Sequence, residues 1–291
     1  MGLNYSDPYD QFYYQNCCGM PYERTEAWLA FFSGIADRIV KHIGPRSALD
    51  AGCAMGFLVE CLRQRGVDAY GIDISAYAIG QVREDLRPYC RLGSVLDPLP
   101  RRYDLIVCIE VLEHLSPNEC ERAAANFCAA SDDILFSSTP DDIDTATHVN
   151  VQSPEYWAAL FARHGFRRDI DFDATFVTGW AMRFRRGVEP VDRLIESYER
   201  HLWAARRVET ASRERLSNQE QSIEALQARL CESEDRARRL DETLRGIRAG
   251  LGWRIIERIG PLHQRLFPPG SRRGAAWQRL ARDGRRMKDE G

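Results

Sequence analysis

A chain of 291 residues with 44% hydrophobic and 29% charged side chains is long enough for one α/β domain plus an appendage, and too apolar to be disordered throughout. Its formal net charge of −3 gives no basis for a general nucleic-acid binder, and no apolar run is long enough to span a bilayer. Nine scattered cysteines without a CxxC pair point to a reducing cytoplasm and away from a disulfide framework.

Residues 1–45 form an aromatic-rich leader and a helix, with Tyr5, Tyr9, Phe12, Tyr13, Tyr14 and Tyr22 followed by Arg24. From 46 to 187 strand-like and helix-like segments alternate. Ser47–Ala51 reads as a strand, followed by a glycine turn and a helix over 57–65. Val67–Ile72 is the next strand, and Ser75 caps a helix to about Leu86. Tyr89–Leu92 is a short strand, and Tyr103–Ile109 is apolar and β-branched enough for a buried central one. A helix over 118–130, a strand over 133–137 and a helix over 154–164 follow. Phe166–Asp173 and Thr175–Phe184 have no helix between them and predict a terminal antiparallel pair. The repeated units describe a doubly wound, mainly parallel sheet of seven strands.

After Gly187 the period changes. Val188, Ile195, Leu202, Leu216, Ile223, Leu230, Ala237 and Leu244 share one heptad position, broken at Glu209. Val191, Tyr198, Ala205, Leu226, Leu240 and Ile247 fill the companion position, with polar gaps at Ser212, Gln219 and Ser233. Residues 188–249 therefore read as a long helix. It forms a coiled-coil homodimer, or it packs back on its own domain. The segment 250–291 carries ten basic against four acidic residues from Leu251 onward. Gly250, Gly252, Gly260 and Pro261 divide it into short basic amphipathic pieces around Trp253, Ile255, Ile256, Leu262, Leu266 and Phe267. Such a tail lies on anionic lipid, docks a partner enzyme, or is simply solvated.

Three motifs carry the chemistry. Ligands of a doubly wound sheet bind where the first glycine turn meets the first helix, and Asp50-Ala-Gly52-Cys-Ala54-Met-Gly56 is such a turn. Asp73 ends the second strand, where a carboxylate reaches both hydroxyls of a ribose. The fourth strand runs into Glu110-Val-Leu-Glu113-His114. Together, in this order and spacing, these motifs resemble class I S-adenosylmethionine-dependent methyltransferases over roughly residues 20–185. The resemblance implies a Rossmann-like fold with S-adenosylmethionine as cofactor. Gly52, Ala54 and Gly56 would line the methionine part, with Ala54 standing where the family usually has glycine. Asp73 would hold the ribose, Ile74 would pack on adenine, and Ser94 occupies the place of a common acidic contact to the adenine amine. Asp50 either contacts the cofactor or only orders the turn. Arg24 is placed to pair with the methionine carboxylate, and Glu110 to border the cofactor. The tyrosine leader is expected to close over the pocket or to pack on the flank of the sheet.

Methyl transfer to an alcohol needs help in removing a proton. Glu110, Glu113 and His114 are spaced to share a helical face, and His148 follows the fifth strand, so the four can converge on Mg2+ or Mn2+. The E-x-x-E-H pattern with a later histidine is similar to the metal site of small-RNA ribose methyltransferases, and ubiquinone-pathway O-methyltransferases share its first part. Otherwise His148 acts as a metal-free base with His114 and Glu110 around it, or the residues only shape the pocket. Asp141 and Asp142 touch substrate or form a solvated turn. The expectation is an O-methyltransferase acting on a sugar or glycan hydroxyl. The alternatives are a small-molecule O-methyltransferase using His148, and a methyltransferase-like scaffold. The heptad rod and basic end loosely resemble bacterial methyltransferases associated with glycosyltransferases of surface-polysaccharide assembly. That implies a glycosyltransferase partner and a cytoplasmic protein at the inner membrane face.

Overall fold

The computed structural model describes residues 9–187 and 190–279. Tyr5, Val188, the end of the basic tail over 280–291 and the side chains of Trp253 and Ile256 lie outside the described residues. Two compact units meet between Ala204 and Ala205, beyond the boundary at 187 that the composition suggests.

In the first unit, α1 (Gln11–Asn16) and α2 (Glu26–His42) precede the sheet. The strands are β1 (Ser47–Ala51), β2 (Asp68–Asp73), β3 (Cys90–Leu92), β4 (Leu105–Ile109), β5 (Asp133–Ser137), β6 (Phe166–Arg168) and β7 (Met182–Arg186). Their spatial order is β3-β2-β1-β4-β5-β7-β6. β7 runs antiparallel to both its neighbours, and the other adjacent pairs are parallel. The order reverses between β1 and β4, which opens the ligand crevice at their carboxyl ends.

Alternating residues of each buried strand serve two cores. Leu105 and Val107 face Ile35, Ile39, Leu58 and Leu62, from α2 and α3 (Phe57–Gln64). Ile106 and Cys108 face Phe127, Trp157 and Phe161, from α5 (Pro117–Ala130) and α6 (Pro154–Arg163). The helix after Ser75 is shorter than its pattern predicts. α4 covers Ala76–Gln81 and gives way to a 3-10 turn over Glu84–Tyr89, with Pro88 inside it.

The last two strands are shorter as well. Residues 169–181 form a loop, because Asp173 accepts hydrogen bonds from the Thr175 amide and hydroxyl at 2.9 and 2.6 Å. That local turn competes with pairing.

The long helix α7 runs from Val191 to Ala249. Its first turns are tied to the loop by Asp171, which accepts from the Ser197 hydroxyl at 2.6 Å, with Arg200 and His201 at 2.9 and 2.8 Å. In the second unit Gly250 breaks α7 with an extended backbone, and α8 then continues from Leu251 to Leu266. Gly252, Gly260 and Pro261 thus sit inside one helix and do not divide it into short pieces. Glycine weakens a helix by about 1 kcal/mol without barring it. Residues 272–279 are helical again. Among the described residues no helix is long and apolar enough to cross a membrane.

Candidate active site

The turn after β1 is shaped by its backbone. The amides of Gly52 and Cys53 both donate to the Ile72 carbonyl at 2.8 and 3.1 Å, which draws the loop across the end of β2. Gly52 has φ +90°, and a Cβ there would lie 2.3 Å from Val111 Cγ2. Gly56 begins α3 at φ +76°, with a Cβ position 2.9 Å from Cys90 Sγ. Only glycine satisfies both conditions. Ala54, between them, takes φ +44°, a left-handed conformation that costs an alanine about 1–2 kcal/mol. Its departure from glycine is therefore a matter of backbone strain as well as bulk.

Asp73 holds this loop from below. One carboxylate oxygen accepts from the Ala54 amide and the other from the Ser75 amide, both at 2.8 Å. Ile74, beside it, is exposed. Asp50 is buried beneath the loop, and burial together with the Asp73 charge pushes its carboxyl up to about 8. The Ser94 hydroxyl accepts from the Leu96 amide at 3.1 Å, so it closes its own turn. Arg24 is placed otherwise than expected: its guanidinium meets the buried Glu60 at 2.7 Å, with Arg83 on the same oxygen at 2.6 Å. Glu60 is an anion already at hand, and it takes the charge expected to reach the methionine carboxylate.

The described part of the leader folds over the site. Tyr9 and Tyr13 set their edges against the His114 ring, at centroid distances of 5.5 and 6.2 Å. The Tyr9 carbonyl accepts from the Ser75 hydroxyl at 2.6 Å. Tyr14 stacks on Tyr77 and Tyr22 on Phe57, which anchors the leader in the first core. Phe12 points away and is exposed.

At the ends of β4 and β5, Glu113, His114 and His148 converge, with one ligand atom from each all within 4.8 Å of one another. Glu113 and His114 lie on a 3-10 turn, Leu112–His114, and the Glu113 carbonyl accepts from the amides of Val149 and Asn150 at 2.9 and 3.0 Å. Those two bonds seat the His148 loop. Both imidazoles are oriented through Nδ1, His114 toward the Thr147 carbonyl at 3.0 Å and His148 toward the Asp142 carbonyl at 2.8 Å. A carbonyl accepts only, so Nδ1 carries a proton in each ring, which leaves Nε2 as the atom that could coordinate, as in ligated histidines. Both carboxylate oxygens of Glu113 are buried without a well-formed hydrogen bond among the described residues, close to the Glu110 carboxylate and the Ser138 hydroxyl. Burial and the Glu110 charge raise its carboxyl well above the ordinary range, and burial lowers His114. One buried carboxyl and two imidazoles oriented through Nδ1 form a donor set that fits a divalent cation.

Glu110, expected as a fourth ligand, stands outside this trio. It takes φ +52°, so the chain is not helical there, and its Oε1 accepts from the Ser137 hydroxyl at 2.6 Å and the Trp180 indole at 2.9 Å. Tyr13, from the tyrosine leader, brings its hydroxyl 3.5 Å from His114 Nε2, while Trp180 and Ser137 are residues of the site that the sequence does not single out. Trp180 falls inside the stretch read as a strand, where its exposure to the site is hidden.

A methyltransferase domain family matches residues 22–169, half of the chain. The chain belongs to the class I, S-adenosylmethionine-dependent methyltransferase family. S-adenosylmethionine is its cofactor. The methyltransferase is 30% identical over 126 residues to a ubiquinone biosynthesis O-methyltransferase of Methylococcus capsulatus, covering 40% of this chain and 53% of that one. A protein of the same description from Burkholderia orbicola is 30% identical over 142 residues, covering 44% and 60%. The chain thus spans between about half and three fifths of these two relatives' length. Among solved structures it is similar to an amino pentose methyltransferase of calicheamicin biosynthesis from Micromonospora echinaspora, with 18% identity, a TM-score of 0.47, and coverage of 56% of this chain and 93% of that one.

Proposed function

We propose that this methyltransferase is an O-methyltransferase that acts on a sugar or glycan hydroxyl with the help of a divalent cation of the Mg2+ or Mn2+ type. The observation that carries this reading is the buried Glu113 carboxyl, which makes no well-formed hydrogen bond among the described residues, within reach of two imidazoles each oriented by a carbonyl at Nδ1. An unpaired buried carboxylate costs several kcal/mol unless it meets a cation or keeps a proton. Glu113, His114 and His148 would hold the cation, which supplies Lewis-acid polarisation of an acceptor hydroxyl when bound.

The chain's own residues do the remaining work. The loop over 52–56 and Asp73 fix the cofactor, so that the acceptor oxygen can attack its methyl carbon in line as the carbon–sulfur bond breaks. Tyr9 and Tyr13 shield His114 from water and offer aromatic faces on which a sugar can stack. The indole of Trp180 holds Glu110 beside Glu113. A sugar presents adjacent hydroxyls, which suits a centre with open positions between the trio and the crevice. The exposed apolar residues of α8, Ile255, Ile259, Leu262 and Leu266, accompanied by Arg254, Arg258 and Arg265, support a position at the inner membrane face.

A second reading has one specific observation behind it. Ile143 and Val149, on either side of His148, are exposed apolar residues, and they suit an apolar acceptor such as a phenol. In that case His148 Nε2 takes the acceptor proton directly. The test is methyl transfer onto a panel of vicinal-diol sugars and catechols, before and after chelation with EDTA and readdition of Mn2+. Turnover on sugars that disappears with EDTA and returns with Mn2+ supports the first reading. Turnover unaffected by EDTA, or confined to phenols, sinks it.

A further inference from the structure

We infer that α7 is one strand of a parallel, in-register two-stranded coiled coil, and that its partner is a second copy of this chain. The apolar residues of its heptad seam stand exposed along the whole helix. Leu216, Ile223, Leu226, Leu230, Leu240 and Leu244 are each between 51% and 61% exposed, on one stripe of positions a and d. Isolated apolar residues on a surface need no explanation, but an apolar stripe that recurs at heptad spacing over this length is an interface awaiting its partner.

The charges beside the stripe name the partner. In a parallel pair, position g of one helix faces position e of the next heptad on the other. Here Arg215 is matched with Glu220, Arg229 with Glu234 and Arg236 with Asp241. Each match occurs twice in a two-fold dimer. Among the described residues Arg215, Glu220, Arg229 and Glu234 form no ion pair within the chain, whereas Arg236 and Asp241 meet Glu232 and Arg245 on their own helix. The antiparallel alternative pairs g with g and e with e. It would set arginines against arginines and carboxylates against carboxylates. A slip of one heptad also loses the pattern, since Arg236 would face Arg248 in one direction and Arg215 would face Arg213 in the other.

Two strands suit the seam better than three. Glu209, Ser212, Gln219 and Ser233 occupy a or d positions, and in a two-stranded coil such residues keep an edge in water. A trimer would enclose them. These polar positions weaken the seam and help to hold its register.

Light scattering on the full chain, combined with charge-swapped variants, tests the inference. The expected mass is that of two chains; one chain or three overturns it. One variant carries Glu220→Arg, Glu234→Arg and Asp241→Arg, and the other carries Arg215→Glu, Arg229→Glu and Arg236→Glu. Each alone is expected to dissociate at concentrations where the native chain is dimeric, with its helical circular dichroism retained. Mixed, they are expected to recover a one-to-one dimer, and failure to recover it overturns the pairing. Orientation is read from Cys231, exposed on α7, spin-labelled in a chain carrying Cys17→Ser and Cys18→Ser. Two labels within about 25 Å fit parallel helices packed 8–10 Å apart. A separation beyond about 35 Å, which an antiparallel pair centred on the heptads would give at 1.5 Å rise per residue, overturns it.

Discussion

The two halves of the crevice are built by different means. The cofactor side is a backbone device: Gly52 and Gly56 take positive φ values, each pressed against a neighbouring side chain, and Asp73 fastens the loop by two amides. The side proposed to take the acceptor is a side-chain device, in which Glu113, His114 and His148 come from two separate loops and the two imidazoles are aimed by carbonyls of Thr147 and Asp142. A site made by backbone shape tolerates almost no added atom. A site made by side chains can lose one function while the other stays intact. Substitutions on each side should therefore fail in different ways.

The largest effect is expected at Gly52. Gly52→Ala combines a left-handed alanine with a methyl group 2.3 Å from Val111 Cγ2, at a combined cost of about 2–4 kcal/mol. Calorimetric titration should show S-adenosylmethionine affinity falling at least a hundredfold, with a lowered melting temperature. Relieving the clash with Val111→Ala should restore only part of the binding, because φ remains unsuitable. Full restoration would mean that the contact alone matters.

On the acceptor side the split should run the other way. Glu113→Gln keeps the shape and removes the charge, so turnover with saturating Mn2+ should fall a hundredfold or more while cofactor affinity stays within about twofold. A parallel loss of cofactor binding would show that the two devices are not separable. Trp180→Phe removes one hydrogen bond to a charged group, worth about 1.5–3 kcal/mol. Because Glu110 keeps the Ser137 hydroxyl, we expect only about a tenfold loss in kcat, with KM for the cofactor unchanged.

This contrast also explains what could be read from residues alone. A backbone device leaves its mark in closely spaced small residues, so Leu49–Gly56 and Asp73 are legible, and with them the fold class and the cofactor. The long apolar strands were legible too, since Leu105–Cys108 are buried on both faces. A side-chain device scatters its parts. Glu113, His114 and His148 converge in the structure and stand out in the sequence because two of them are adjacent and histidine is scarce, whereas Glu110 at φ +52° does not share the helical face its spacing suggests. Trp180 lies in a loop that alternation made resemble a strand, and its bond to Glu110 spans 70 residues. Arg24 meets the buried Glu60 at 2.7 Å across 36 residues of chain, a pairing that no local pattern announces.

Asp50 gives a test on the cofactor side that needs no ligand. Its carboxyl moves from 3.8 to about 8 on folding, so the folded state holds the proton more tightly. The resulting stability is complete below about pH 4 and is lost progressively as pH rises toward and through about 8. Asp50→Asn removes the titration. The melting temperature of the native chain should therefore fall between pH 6 and 9 more steeply than that of the variant. Identical slopes would show that Asp50 is ionised in the fold at neutral pH.

The smallest effect, and the most direct check on the backbone account, is Ala54→Gly. Alanine at φ +44° carries about 1–2 kcal/mol of strain, and glycine removes it while adding about 0.5–1 kcal/mol of unfolded-chain entropy. The difference favours the variant by about 0.5 kcal/mol, or one to two degrees in Tm for a unit of this size. Cofactor affinity should hold or improve slightly, since the Ala54 amide that donates to Asp73 is retained. A loss of stability would mean that the alanine methyl makes a packing contact worth more than the strain. The loop would then owe its shape to side chains after all, and the distinction between the two halves of the crevice would weaken.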